Sequence, residues 1–335
     1  VTTSAALPGA DPQLVERLTA RLALVEDRLR RAVAHSDGLA GATTRHLVDA
    51  GGKRLRPLLT LLSAELGEGD APQVLDAAVV VELTHLATLY HDDVMDLAPV
   101  RRGAPSAHEV WGNQVAVIAG DIVFARASSI AADLGPVAIR ILAETFERLC
   151  LGQLHETVGP PPDADPVQHY LQVLADKTAS LIATSARFGA MFAGCLPEVE
   201  AAVVAYGEAA GVAFQLADDV IDLAPDETAT GKRPGTDLRD RVPTMPVLLL
   251  RRRVASGQGS AADRDLIALL DSDLSGDDAL EQAVAAMREH DVTAQTRAQA
   301  LQWADRAVEA LAPVPDGPVR RALAEFTEVL VHRTA

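Results

Sequence analysis

Apolar residues recur along this chain at the three-to-four-residue spacing of amphipathic helices, and few stretches alternate with the two-residue period of a half-buried strand. Residues 12–36 carry Leu14, Leu18, Leu22, Leu24 and Leu29 with Arg and Glu between them, which predicts a first long helix. Residues 40–50 form a second, shorter one. Gly51-Gly52 stops it, and Lys53-Arg54-Leu55-Arg56-Pro57 opens the next. Pro72 starts a long apolar helix to about Asp96, and Pro99 ends that segment. Further helices are predicted over 106–133 and 136–158, from Pro166 onward, and over 198–224. Residues 225–243, rich in Pro, Gly and charge, read as a mobile flap. Four or five more helices fill 244–333. The pattern predicts an all-α chain forming one domain over 1–335, with 1–11 as a flexible N-terminus.

Two acidic stretches stand inside these apolar helices: His91-Asp92-Asp93-Val94-Met95-Asp96 and Gln215-Leu216-Ala217-Asp218-Asp219-Val220-Ile221-Asp222. Each is a D-D-x-x-D, and acids at i and i+4 share a helix face roughly 5–6 Å apart. Burying unpaired carboxylates is costly. Cations relieve that cost, and clustered carboxylate oxygens suit Mg²⁺ better than Zn²⁺. Mg²⁺ held by a few carboxylates usually completes its shell with substrate phosphates. A single D-D-x-x-D is often a solvated helix face; two copies of identical spacing inside apolar helices argue for two acidic helices gripping a diphosphate across a cavity.

Composition narrows the class. Aromatics make up only 3% of 335 residues, so Ala, Leu and Val must form the core, which favours closely packed helices. A net charge of −17 argues against nucleic acid as a partner. Cys150 and Cys195 suggest no disulfide framework. Residues 1–10 lack the pattern of a signal peptide, and no uninterrupted apolar run of about 18 residues predicts a membrane span, so the expected compartment is the cytoplasm.

The basic residues are informative. Of 30 Lys and Arg, only Lys53, Lys177 and Lys232 are lysines. Lysine is a compact point charge and a common phosphate binder, so three isolated lysines beside Gly or Thr are candidate ligands. Lys53 and Arg56, at i and i+3, point the same way from a helix start, where free N–H groups also favour anions. His85 lies two turns before Asp92 on the same face. Arg101 and Arg102 follow the first acidic motif, able to pair with it or to hold phosphate oxygens.

Taken together, Gly51 to Pro57, His85 to Asp96, Arg101-Arg102-Gly103, Lys177-Thr178, Gln215 to Asp222, Gly231-Lys232 and Gly235-Thr236-Asp237 resemble the all-trans polyprenyl diphosphate synthases, and most nearly the actinobacterial long-chain members. The resemblance runs from about residue 20 to the end. It implies an all-α bundle around a deep central cavity, a homodimer, and peripheral membrane contact for product release. It implies Mg²⁺, three ions per site, with Asp92, Asp96 and Asp218 as direct ligands and Asp93, Asp219 and Asp222 in support. Arg101, Lys177, Thr178, Gln215 and Lys232 would hold the allylic diphosphate, farnesyl or geranylgeranyl. Lys53, Arg56, His85 and Arg102 would hold isopentenyl diphosphate.

The chain departs from the family pattern in the flap, where Val242 replaces a further Lys and Arg241 is the neighbouring substitute. Arg333 is a candidate C-terminal contact to isopentenyl diphosphate. Family precedent places the tail-blocking residue five and four positions before Asp92. Here those positions are Ala87 and Thr88, both small, which points to a C30–C50 product with Phe146 as a candidate floor. The alternatives are a farnesyl or geranylgeranyl diphosphate synthase, and a non-catalytic subunit of a heteromeric synthase.

Overall fold

Proline starts and glycine stops mark out the helices much as the periodicity predicts. The computed structural model describes residues 3–224 and 234–332. Within the stretch expected to be flexible, Thr3–Ala6 form one helical turn (α1), and Ala6 and Leu7 are buried. Helix α2 (Pro12–Ala32) starts at Pro12 with Asp11 capping the N–H groups of Gln13 and Leu14. Next come α3 (Gly38–Asp49), α4 (Leu55–Ala64) and α5 (Pro72–Met95).

Two local features differ from expectation. Residues 100–105 form a two-stranded hairpin, β1 (Val100–Arg101) with β2 (Ala104–Pro105), turned by Arg102 and Gly103 at positive φ. The helix predicted over 106–133 breaks at Gly112, φ 82°, into α6 (Ala107–Trp111) and α7 (Asn113–Asp133). After α8 (Pro136–Val158) and α9 (Pro166–Leu174), a π-helical turn over Ala175–Ala179 precedes α10 (Ser180–Phe192). Helix α11 (Pro197–Ile221) carries the second acidic motif. The described part of the predicted flap contains a single-turn helix, α12 (Thr236–Arg239). The rest is α13 (Met245–Ala255), α14 (Ala261–Leu270), α15 (Asp277–Glu289), α16 (Asp291–Ala310) and α17 (Pro318–His332).

The chain divides into two compact units. The first comprises Val1–Leu149, Ser180–Gly207 and Ala310–Phe326. Here α5 packs against α7, α4 and α10. Its core joins Ala77, Val80 and Val81 to Ala138, Ile141, Leu142 and Phe188, with Phe124 stacked on Phe146. Tyr90, fully buried, donates its hydroxyl to Thr43 O at 2.5 Å and accepts from Leu47 N, which fixes α3 to α5. The second unit comprises Cys150–Ala179, Glu208–Glu309 and Thr327–Ala335. Its core gathers Val167, Tyr170, Leu216, Met245, Leu249 and Met287. Burying each such side chain contributes roughly 1.5–3 kcal/mol.

Cys150 and Cys195 are not joined in a disulfide, and Cys195 lies in the turn after α10. Helices α7 and α11 are long and apolar enough to cross a membrane by length and composition. An 18-residue average tolerates Asp121 and Arg126, which an uninterrupted apolar run does not. Buried core helices pass the same test, and α11 is 61% buried over that window. Helix α7 is only 33% buried and leaves Val117 and Ile118 exposed.

Candidate active site

Helix α5 presents the first acidic motif in its last turn. His85, Thr88, Asp92 and Asp96 are partly or fully exposed, whereas Val81, Glu82, Ala87 and Asp93 are buried. The spacing i, i+3, i+7, i+11 is one stripe of a helix, so the stripe carrying the outer two aspartates stays open to solvent. The middle aspartate turns inward. Arg101 Nε donates to Asp93 Oδ1 at 2.6 Å, while Oδ2 is enclosed without a hydrogen-bond partner. Burial pushes the Asp93 carboxyl above its ordinary range, and the Arg101 charge opposes that. The hairpin therefore sets Arg101 Nε against the acidic motif, and because a guanidinium carries five N–H donors this pairing leaves a phosphate contact open as well.

The same unit gathers a basic cluster. Arg54 heads α4 in a left-handed conformation, φ 50°, between Lys53, which is exposed, and Arg56, whose Nε is enclosed without a hydrogen-bond partner. Arg102 donates to Leu47 O at 3.2 Å and to Gly51 O. Burial and the nearby guanidiniums of Arg56, Arg102, Arg101 and Arg54 hold His85 well below the ordinary imidazole range. His85 is therefore neutral near pH 7, and its ring can donate one hydrogen bond and accept another. Burial, opposed by the charge of Glu82, lowers Arg56 to about 10, which leaves it charged at neutral pH.

The second unit repeats the acidic arrangement. On α11, Gln215, Asp218 and Asp222 are half-buried, whereas Asp219 is buried. Tyr170 donates to both carboxylate oxygens of Asp219 at 2.9 Å, and Met245 N donates to Oδ2 at 2.9 Å. Burial pushes Asp219 well above the ordinary carboxylate range. The Asp222 carboxylate accepts from Asp237 N at 3.2 Å, tying the start of α12 to the motif. In each motif the middle aspartate is buried and hydrogen-bonded, while the outer two are at least partly exposed.

Asp176, Lys177 and Thr178 occupy the π-helical turn, whose wider winding loosens backbone pairing at functional sites. Lys177 Nζ pairs with Glu156. Gly152 on α8 permits the close approach: a Cβ there would lie 2.5 Å from Lys177 N. Lys232 and Arg333 lie outside the described residues. Arg241 donates to Ser272 O at 3.4 Å. Sequence reasoning missed Tyr170 and Glu82, and placed Glu156 on the 136–158 helix without giving it a role. A lone Glu in the apolar run Val79 to Leu83 was a readable signal for Glu82; nothing local marks Tyr170.

Among the described residues, no three acidic, histidine or cysteine side chains converge as a ready-made metal site. Two outer carboxylates on each open stripe match a hard cation that takes its remaining ligands from water and phosphate.

The polyprenyl synthetase family model matches residues 39–287. The chain belongs to that family. It is a prenyltransferase, and the match reaches into both units. It is 42% identical to the nonaprenyl diphosphate synthase of Mycobacterium tuberculosis over 99% of this chain and 98% of that protein. The crystal structure of a geranylgeranyl pyrophosphate synthase from Corynebacterium glutamicum, complexed with calcium and isoprenyl diphosphate, superposes with a TM-score of 0.85. Identity there is 39%, over 97% of this chain and 98% of that one. A decaprenyl diphosphate synthase from Rhodobacter capsulatus gives the same TM-score at 34% identity, covering 96% and 99%. The nonaprenyl and decaprenyl relatives support a long-chain trans-prenyltransferase.

Proposed function

We propose that this protein is a Mg²⁺-dependent, cytoplasmic synthase that condenses isopentenyl diphosphate with farnesyl or geranylgeranyl diphosphate and releases a C30–C50 polyprenyl diphosphate. The observation that carries the reading is the repeated disposition of the two D-D-x-x-D motifs, outer aspartates at least partly exposed and the middle one buried and hydrogen-bonded. Asp92, Asp96 and Asp218 are the proposed direct metal ligands, supported by Asp222, with Asp93 and Asp219 holding the motif backbones in register. Three ions per site is the expected number. Both units act as one synthase domain.

Mg²⁺ held by these carboxylates supplies positive charge to a leaving diphosphate. The chain's own residues do the rest. Lys177, Thr178, Gln215, Arg101 and Lys232 bind the allylic diphosphate and stabilise the charge it gains as its C–O bond breaks. Lys53, Arg56, Arg102 and neutral His85 hold isopentenyl diphosphate, whose double bond attacks the allylic cation. A proton is then lost to the departed diphosphate. No protein nucleophile is required.

Thr88 is small and lies on the same open stripe as Asp92, which supports passage of a long tail past this turn of α5. The Phe124–Phe146 stack, centroids 3.7 Å apart, is the proposed floor. The thinly covered face of α7, with Val117 and Ile118, supports a homodimer and leaves product release at a membrane surface to other faces. The geranylgeranyl relative favours a second reading, an enzyme that stops at C20. Incubating the protein with Mg²⁺, labelled isopentenyl diphosphate and farnesyl diphosphate, then sizing products by mass spectrometry, separates the two. Products of C30 or longer support the long-chain reading, a C20 stop supports the second, and no elongation removes both.

A further inference from the structure

Glu82 is a buried carboxylate in the apolar middle of α5, 1% exposed, one turn before His85. Its Oε1 accepts from Arg54 Nη1 at 2.7 Å and lies 3.8 Å from Arg102 Nη2. Arg54 also pairs with Glu26 on α2 and donates to Val48 O at 3.2 Å. Arg102 in turn holds the carbonyls of Leu47 and Gly51 and lies against Gly52, where a Cβ would meet the guanidinium carbon at 2.7 Å. Glu82 thus ties together the end of α3, the Gly51-Gly52 turn, the start of α4 and the hairpin.

This carboxylate also sets the electrostatics of the cluster. Burial by itself would lower Arg54, yet the hydrogen bond to Glu26 and the charge of Glu82 leave it raised. The same charge opposes the burial penalty on Arg56. The Glu82 charge also offsets the repulsion that Arg102 exerts on Arg56 and feels from Arg54. Arg54 holds a left-handed conformation that a non-glycine residue adopts at a cost of roughly 1–2 kcal/mol, and its buried ion pairs fix that geometry. Lys53 and Arg56 flank Arg54, so its placement decides where both of them point.

We propose that Glu82 is a positioning residue for isopentenyl diphosphate: by anchoring Arg54 and Arg102 it holds the turn that presents Lys53 and Arg56 to the diphosphate. The proposal rests on the assignment of this basic cluster to isopentenyl diphosphate made above. A group that only stabilised the fold would affect both substrates alike, whereas a positioning group for one diphosphate affects that substrate selectively.

The test is initial-rate kinetics with each substrate varied in turn, for wild type, Glu82→Ala, Glu82→Gln and Arg56→Gln. Glu82→Ala is expected to raise KM for isopentenyl diphosphate about tenfold while KM for the allylic diphosphate stays within about twofold. Glu82→Gln keeps an oxygen for Arg54 and should recover part of the loss. Equal rises in both KM values, a fall in kcat alone, or unchanged kinetics would overturn the proposal. Arg56→Gln separates the two layers of the argument. If it leaves KM for isopentenyl diphosphate unchanged, the assignment of the cluster fails. If it raises that KM and Glu82→Ala does not, only the role of Glu82 fails. Should Glu82→Ala not fold, Glu26→Gln removes the other, more accessible anchor of Arg54. A selective rise of a few fold supports the positioning role, and its absence overturns it.

Discussion

Tyr170 hands one hydroxyl to both carboxylate oxygens of Asp219, 2.9 Å from each, at residues 49 positions apart in sequence. Together with the Met245 N–H it satisfies the carboxylate of a residue that is only 5% exposed. Tyr170→Phe keeps the ring in the core of its unit and removes the donor. Leaving a buried acceptor short of a partner is expected to cost about 1–3 kcal/mol, read as a lower midpoint in urea unfolding. An unchanged midpoint would show that Asp219 is held without Tyr170.

The contrast between this pair and the motif it supports shows what a sequence can disclose. The i, i+1, i+4 spacing of Asp218, Asp219 and Asp222 is a local property of one helix, so the shared open stripe was legible from residue order. Which of the three turns inward depends on Tyr170 and Met245, brought from other elements by tertiary packing. Likewise the helices bounded by Pro72, Pro136 and Pro166 were readable from their starts, since proline acts within its own turn. The break at Gly112 was missed because the apolar period runs through it and only the backbone angle reveals it. The π-turn at Ala175–Ala179 has no Pro or Gly to announce it; close packing of Gly152 against Lys177 N is its visible correlate in space.

The outer carboxylates carry the strongest catalytic prediction. Asp92→Ala or Asp218→Ala should lower turnover on the order of a hundredfold or more, the scale of losing preorganised charge opposite a leaving group. Chelation should abolish wild-type turnover, and added Mg²⁺ should restore it. Wild-type rates in either variant at saturating Mg²⁺ would remove these carboxylates from the metal assignment.

Product length gives a sharper test at two adjacent residues of α5. Thr88 lies on the open stripe, with its hydroxyl turned back to His85 O at 2.8 Å, whereas Ala87 is fully enclosed. Thr88→Phe should therefore shorten the product while the protein stays folded. Ala87→Phe should instead lose about 1–3 kcal/mol by overpacking a filled core. Measuring product size and melting temperature for both variants checks the split. A shortened product from Ala87→Phe with unchanged stability would place the tail on the other side of the helix.

Acid stability should report on a pair far in sequence from either motif. Asp263 caps α14, its Oδ2 accepting from Ser260 N at 2.9 Å, and its Oδ1 lies 3.0 Å from His290 Nε2. The backbone hydrogen bond, then the contact with His290, lower Asp263 from 3.8 to about 2. Because the folded state holds this proton less tightly than the unfolded chain, its contribution is complete above the unfolded value and disappears as the pH falls toward the folded one. Asp263→Asn should thus melt below wild type at neutral pH, by a gap that is steady down to about pH 4 and closes between about pH 4 and pH 2. Melting curves taken across that range, at fixed ionic strength, check the sign. A gap that widened in acid would mean that the charged form of Asp263 does not stabilise the native state.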